Sequence, residues 1–270
     1  MWTRARAAWR TLQELEEENL HVAETECTAS TTSNWEDPNS ARKGEDEEGG
    51  SGGGDSGPIF NKISIGTINI RNGNGGNLEM TCNKMQRMGL DIVFVTEAKL
   101  KRGRHTSLSY GFEVTATNCD NGNQGGVALL VRRVKKEKER IWHIEDVACF
   151  GPNVMKCTLV YGRSRTTLVG VYIPPSDSDL TVMKEVDLAL KGTDWKNVVL
   201  LGDLNVNYSK PKDTRSDQIV TALHSYNLRD LSTNFKTKKP YTWTWRMFRE
   251  ERWIHSICDY ILYGEAMKGM

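Results

Sequence analysis

The sequence predicts an α/β fold, and three stretches carry that reading. The first is 197–207, NVVLLGDLNVN, in which Val198, Val199, Leu200 and Leu201 form a short continuous apolar run. Such a run suits a strand buried on both faces, and therefore a central one. The second is the unit 62–99, in which a β-like run, a glycine-rich loop, a helical pattern and another apolar run follow in order. The third is the pair of helical patterns on either side of the central run, 180–190 and 217–226. At the end of that run Gly202 frees the backbone, and Asp203 and Asn205 put a carboxylate and an amide at the strand tip, where α/β proteins hold ligands. The plainer reading of the same tip is an Asx-rich turn.

Along the chain, Trp2, Ala5, Trp9, Leu12 and Leu15 fall at helical spacing, but the stripe is too short to fold alone. Residues 28–57 are almost devoid of apolar side chains and end in GGSGGGDSG, the composition of a flexible linker. The domain boundary falls near Pro58. In KISIGTINIRN, Ile63, Ile65, Ile68 and Ile70 mark a strand. Gly73, Gly75 and Gly76 form a loop whose spacing does not match GxGxxG, so a dinucleotide site is not implied. Asn77 can cap a helix with Leu78, Cys82 and Met85 on one face, leading to the strand DIVFVTEAK, which finishes at Thr96 and Glu97.

The middle of the chain is strand-rich, with β-like runs at 125–132, 154–161 and 166–173. The basic stretch 132–140, RRVKKEKER, reads as a solvated hairpin tip ahead of a dedicated nucleic-acid patch. Val171-Tyr172-Ile173 runs into Pro174-Pro175, which cannot donate to a ladder, so Tyr172 sits at a strand end. The last strand candidates are 242–245 and 257–262.

A chain of 270 residues that is 38% hydrophobic can bury one sizeable core. Residues 1–57 carry 5 basic against 13 acidic side chains, and the remainder 31 against 22, so an acidic tail of −8 precedes a domain of +9. A basic domain suits a polyanionic partner. The six cysteines show neither a CxxC pair nor a regular spacing, which argues against a zinc site and a disulfide framework. With no signal-peptide core and no long apolar run, the expectation is an intracellular protein with no membrane partner.

Polar residues recur at the ends of the apolar runs, in the segments TINIRN, VTEAK, GGVALLV, VYIPP, LLGDLN, YTW and CDYIL. In that order and at those intervals, over about 62–262, the chain resembles the endonuclease/exonuclease/phosphatase superfamily. NIRN, VYIPP and DYIL resemble most the endonucleases of LINE-type (non-LTR) retrotransposons. The resemblance implies a four-layer α/β sandwich, two facing mixed sheets flanked by helices, with the catalytic groups on one rim. It implies that Glu97, with Asn69 beside it, holds a divalent cation, Mg²⁺ or in its place Mn²⁺. Asp203 would orient or deprotonate the attacking water, Asn205 and Tyr172 would bind the scissile phosphate, and Asp259 would orient a histidine. Thr242, with Thr244 as the alternative register, and Arg71 of NIRN would contact DNA.

The residue types suit that chemistry independently. Hydrolysis of an anionic phosphodiester needs a hard cation held by oxygen ligands, with coordination positions left open. Amide and phenol donors stabilise charge that builds on phosphate oxygens. The alternatives are a catalytically inactive remnant that at most binds nucleic acid, and a phosphatase acting on a small phosphorylated substrate. A departure from the family pattern favours the remnant: the family's Ser-Asp-His run, which follows the DYIL strand, is absent after Asp259. The reverse transcriptase expected from the parent element is also absent, and no partner protein is identifiable. The chain therefore reads as 1–57, a mostly disordered acidic tail and linker, and 58–270, a domain lacking its last strand, with 257–262 left as an unpaired edge.

Overall fold

The structure, a computed structural model, describes residues 25–27, 63–73, 76–100, 105–109, 111–117, 125–133, 141–176, 180–208, 210–231, 244–249 and 252–267. The first half of the chain contributes β1 (Thr25–Cys27), β2 (Ile63–Asn69), α1 (Asn77–Arg87), β3 (Ile92–Thr96), β4 (His105–Ser109), β5 (Phe112–Ala116) and β6 (Val127–Arg132). The second half contributes β7 (Trp142–Cys149), β8 (Val154–Tyr161), β9 (Ser164–Tyr172), α2 (Thr181–Leu190), β10 (Val198–Asp203), α3 (Thr214–Ser225), β11 (Arg229–Asp230), β12 (Trp245–Arg249), β13 (Arg252–Ser256) and β14 (Asp259–Tyr263).

Two six-stranded sheets result, in the orders β1-β2-β3-β6-β5-β4 and β11-β14-β10-β9-β8-β7. Each is mixed: β2–β3 and β9–β10 run parallel, and the other pairs are antiparallel. The first sheet is built wholly from residues up to Arg132 and the second wholly from Trp142 onward.

Side-chain alternation along the strands makes the layers. Ile92 and Phe94 face inward with Ile63, Ile65, Leu129, Leu168, Val199, Leu201 and Ile261, closing a core between the two sheets. Val93 and Val95, the alternate residues, pack under α1 against Cys82 and Met85. On the opposite flank Val198, Leu200 and Leu262 pack under α2 and α3 against Val186, Leu190, Ile219 and Leu223. Helix, sheet, sheet and helices give the four-layer α/β sandwich. β10 lies at its centre, buried along its whole length between β9 and β14.

Some expectations need correction. α3 begins at Thr214, three residues before the apolar spacing suggests, because Asp213 caps it by accepting the Ser216 N–H at 2.7 Å. The segment 257–262 is not an unpaired edge: β14 has β10 on one side and β11 on the other, pairing Tyr263 with Arg229 and Leu262 with Asp230. Thr25–Cys27, within the acidic tail, pairs antiparallel with Ile63–Ile65 at the edge of β2. The helical stripe from Trp2 to Leu15, the linker 28–57 and residues 134–140 of the basic stretch lie outside the described residues. No helix among the described residues is long and apolar enough to cross a membrane.

Candidate active site

Four strands that line the inter-sheet core end at one rim, and the two-residue period decides which side chains appear there. On β10, Val199 and Leu201 face the core, so Asp203 does too; on β14, Tyr263 and Ile261 bring Asp259 to the same face. On β9, Leu168 leads to Tyr172, and on β2, Ile63 and Ile65 lead to Thr67 and Asn69. Register aligns the tips: Asp203 is paired with Tyr172 on one side and Asp259 on the other, and Asn69 is paired with Thr96, the residue before Glu97.

The two sheets meet at Asn69. Its Nδ2 donates to Glu97 Oε1 at 2.8 Å and to Asp203 Oδ2 at 2.7 Å, linking a carboxylate on each sheet. Its Oδ1 accepts the Arg71 main-chain N–H at 2.8 Å, across a turn in which Arg71 has φ 57°. Glu97 stands in the left-handed region at φ 51°, an uncommon conformation for a non-glycine residue. Its Oε2 pairs with Lys99 Nζ at 3.1 Å, and its carboxylate also hydrogen-bonds the Tyr172 hydroxyl.

Asp203 is nearly inaccessible, with 5% of its surface exposed. Burial pushes its carboxyl up to about 6, helped by repulsion from Glu97 and opposed by the hydrogen bonds from Asn69 and the Asn205 N–H, the latter 2.9 Å long. Asp259 is raised well above the ordinary carboxylate range, by burial first and then by the Asp203 charge, while a hydrogen bond from Thr244 opposes the shift. Its Oδ1 is buried with no hydrogen-bond partner among the described residues. Burial, then the charges of Glu97 and Asp203, drive the Tyr172 phenol up, so it is a neutral donor at physiological pH.

Gly202 lets Asp203 reach this position. Its φ is 148°, and a Cβ there would collide with the main chain of Val171 on β9. Only glycine permits that approach between parallel neighbours.

Of the residues singled out from sequence, Asn69, Glu97, Tyr172 and Asp203 come into direct side-chain contact, and Asp259 stands beside Asp203. Asn205 is close by at φ 47°, but its Nδ2 is tied to the Ile173 carbonyl at 3.1 Å. Arg71 is exposed on the adjoining loop. Thr242 lies outside the described residues, whereas Thr244 is at the site: its Oγ1 accepts the Cys258 N–H at 2.8 Å and the Asp259 N–H at 3.1 Å. Lys99 was not singled out; the one sequence signal for it is its place two residues after Glu97 in VTEAK.

As a chemical arrangement, the carboxylates of Glu97 and Asp203, with that of Asp259 beside them, stand together with an amide, a phenol and one ammonium. Every group able to hold a cation there is an oxygen donor, which suits a hard ion and not a soft one.

A model of the Endonuclease/Exonuclease/phosphatase family matches residues 66–268. Among solved structures, the chain is similar to the endonuclease domain of TRAS1, a telomere-specific non-LTR retrotransposon, with 15% identity and a TM-score of 0.56 over 74% of this chain and 84% of that one. It is also similar to an endonuclease/exonuclease/phosphatase family protein from Leptotrichia buccalis, with 13% identity and a TM-score of 0.47 over 74% and 87% of the two chains. TDP2 from Caenorhabditis elegans gives 14% identity and a TM-score of 0.47 over 75% and 64%. No curated protein matches the chain. At these identities the likeness to TRAS1 is one of fold.

Proposed function

Because the chain belongs to the endonuclease/exonuclease/phosphatase family, we propose that it is a Mg²⁺-dependent DNA endonuclease of the retrotransposon type, hydrolysing a phosphodiester to leave a 3′-hydroxyl. The observation that carries the reading is the Asn69 amide held between Glu97 and Asp203, with Tyr172 against Glu97. That juxtaposition supports a reading in which a cation ligand, a base and neutral donors would serve one phosphate.

The donor set fits Mg²⁺, or Mn²⁺ in its place. Glu97 would be the principal ligand, and Asn69 would join it by turning its Oδ1 from the Arg71 N–H. The Lys99 ammonium already supplies a positive charge to Glu97 Oε2 and would have to yield to the incoming cation. When bound, the cation supplies Lewis acidity toward the phosphate oxygens. Asp203, raised to about 6, is ionised near neutral pH and basic enough to accept a proton from the attacking water. Tyr172 stays protonated and donates to a phosphate oxygen, and Asn205 does the same once released from Ile173. Asp259, the register partner of Asp203, would orient a histidine.

DNA as the substrate is supported by the positive domain and by the two-stranded ribbon β12–β13, which belongs to neither large sheet. The ribbon begins next to Thr244 and ends three residues before Asp259, and its sequence holds Arg246, Arg249 and Arg252 among Trp245, Phe248 and Trp253. Basic and aromatic residues together suit a nucleic-acid backbone and its bases.

The test is nicking of supercoiled plasmid by the full chain with Mg²⁺, against EDTA and Glu97→Ala. The expected product is an open circle that a DNA polymerase extends without end repair. Open circles that need end repair would overturn the 3′-hydroxyl assignment. Absence of nicking with hydrolysis of a small phosphate ester would favour the phosphatase reading, and absence of both the inactive remnant.

A further inference from the structure

Glu97 and Tyr172 belong to different sheets, yet their side chains touch, so something must fix the gap between the end of β3 and the end of β9. The main chain around Glu97 shows what holds one side. After the left-handed Glu97, the Ala98 N–H donates to the Gly126 carbonyl at 3.1 Å and the Lys99 N–H to the Gly125 carbonyl at 3.2 Å. The Gly125–Gly126 pair leads into β6 and is in turn held by Asn153, at the start of β8 in the opposite sheet. Asn153 Oδ1 accepts the Gly126 N–H at 3.3 Å, and the Asn153 carbonyl accepts the Tyr172 N–H at 2.9 Å. A Cβ on Gly125, at φ 82°, would collide with Asn153 Oδ1, so the glycine makes room for the amide. The Thr117 hydroxyl donates to the neighbouring Pro152 carbonyl at 2.6 Å, fastening the same turn to the first sheet a second time.

We propose that Asn153 is a positioning residue: one buried side chain and its own carbonyl join the Gly125–Gly126 support of Glu97 to the backbone of Tyr172, and so set the spacing of the two groups across the sheets. Asn153 is 9% exposed and touches neither carboxylate. Its effect passes through two glycine carbonyls that hold the two residues after the left-handed Glu97 and through one N–H that ends a strand. Without the Oδ1 acceptor the Gly126 N–H is left buried and unmatched, the 125–126 turn loosens, and the left-handed conformation of Glu97 loses its support. The consequence for metal binding rests on the function proposed above, while the consequence for the backbone does not.

The experiment compares Asn153→Leu, which removes the acceptor at similar volume, with Asn153→Asp, which keeps Oδ1, in the full chain. Amide hydrogen exchange at Ala98 and Lys99 is expected to quicken about 10-fold in Asn153→Leu, with the amides of α3 unchanged, and to return close to wild type in Asn153→Asp. The concentration of Mn²⁺ that half-saturates the protein, read from the electron paramagnetic resonance of free Mn²⁺, is expected to rise about 10-fold in Asn153→Leu and to recover in Asn153→Asp. Unchanged exchange at Ala98 and Lys99, or an Asp variant as impaired as the Leu variant, overturns the assignment. A wild-type chain that binds no Mn²⁺ removes the metal reading of Glu97, and the exchange rates alone then decide for or against Asn153.

Discussion

Asp203 and Asp259 are register partners on neighbouring antiparallel strands, with both carboxyl groups on the inner face of the same sheet. Two acids so placed repel one another, and burial leaves little water to screen the repulsion. Burial comes first in raising each above the ordinary carboxylate range, the Glu97 charge adding to it at Asp203 and the Asp203 charge at Asp259, and each makes the metal-free protein less stable at neutral pH than in mild acid.

The sign follows from linkage. Asp203 holds a proton in the folded protein up to about 6, whereas its ordinary value is 3.8, so between those values the folded state binds more protons than the unfolded one. Stability should thus fall as pH rises through 6. In EDTA, the melting temperature should be higher at pH 5 than at pH 7, and Asp203→Asn should flatten the dependence. At pH 7 the variant should also be more stable by about 1 kcal/mol, a net gain held down by the weakened contact with Asn69. A wild-type melting temperature that rises from pH 5 to pH 7 would count against the raised carboxyls.

Glu97→Gln keeps the shape of the side chain and its acceptor for Asn69 but removes the charge. Plasmid nicking with Mg²⁺ should fall about 10²- to 10³-fold, the usual effect of removing one preorganised electrostatic group, with an unchanged melting temperature. A parallel loss of fold would show that the residue acts through stability.

Thr244→Val removes the hydroxyl that accepts from both Cys258 and Asp259 while keeping the branched shape. The expected cost is about 1 to 3 kcal/mol, because two N–H groups lose their acceptor. Urea unfolding would read it, and a change below the error of the measurement would mean that water replaces the hydroxyl.

Gly202→Ala should be the most damaging methyl addition at the site. The new Cβ meets the Val171 main chain at a backbone angle that alanine rarely adopts, so the loss should exceed about 1 kcal/mol and the β9–β10 pairing should loosen. Faster amide exchange along β10 is the direct check.

We propose residues 58–270 as the folding unit, since the residues of all three cores lie between Ile63 and Tyr263. A chain starting at Pro58 should unfold cooperatively and lose only the three-residue pairing of β1 with β2. Loss of cooperative unfolding would show that the tail is part of the unit.

What was legible in the sequence were the elements whose pattern is set by deep burial. Ile92–Thr96 and Val198–Leu201 are apolar on both faces, and the polar residues that end them stood out for that reason. The strands that escaped notice lack that contrast. β4 is the polar HTSLS, and β7, WHIEDVAC, carries Glu145 and Asp146 on an edge where the register shifts between Glu145 and Ala148. The polar tips Asn69, Glu97, Tyr172, Asp203 and Asp259 could be named from the chain because each interrupts an apolar run. Lys99 and Asn153 could not, since their roles arise from contacts made after a turn or across the sandwich, and neither breaks a pattern that local sequence shows.

The division of the two sheets between the two halves of the chain has a practical consequence. Asn69 and Glu97 are made by one half, Tyr172, Asp203 and Asp259 by the other, and the halves are joined through 133–141. Neither half alone assembles the constellation, which exists only where their inner faces close on one another. Cutting the chain in that joint would give two complementary fragments, each a sheet with helix on its outer face and its inner face unburied. Recovery of the proposed nicking activity would then report their reunion, and the protein would serve as its own two-part sensor of association.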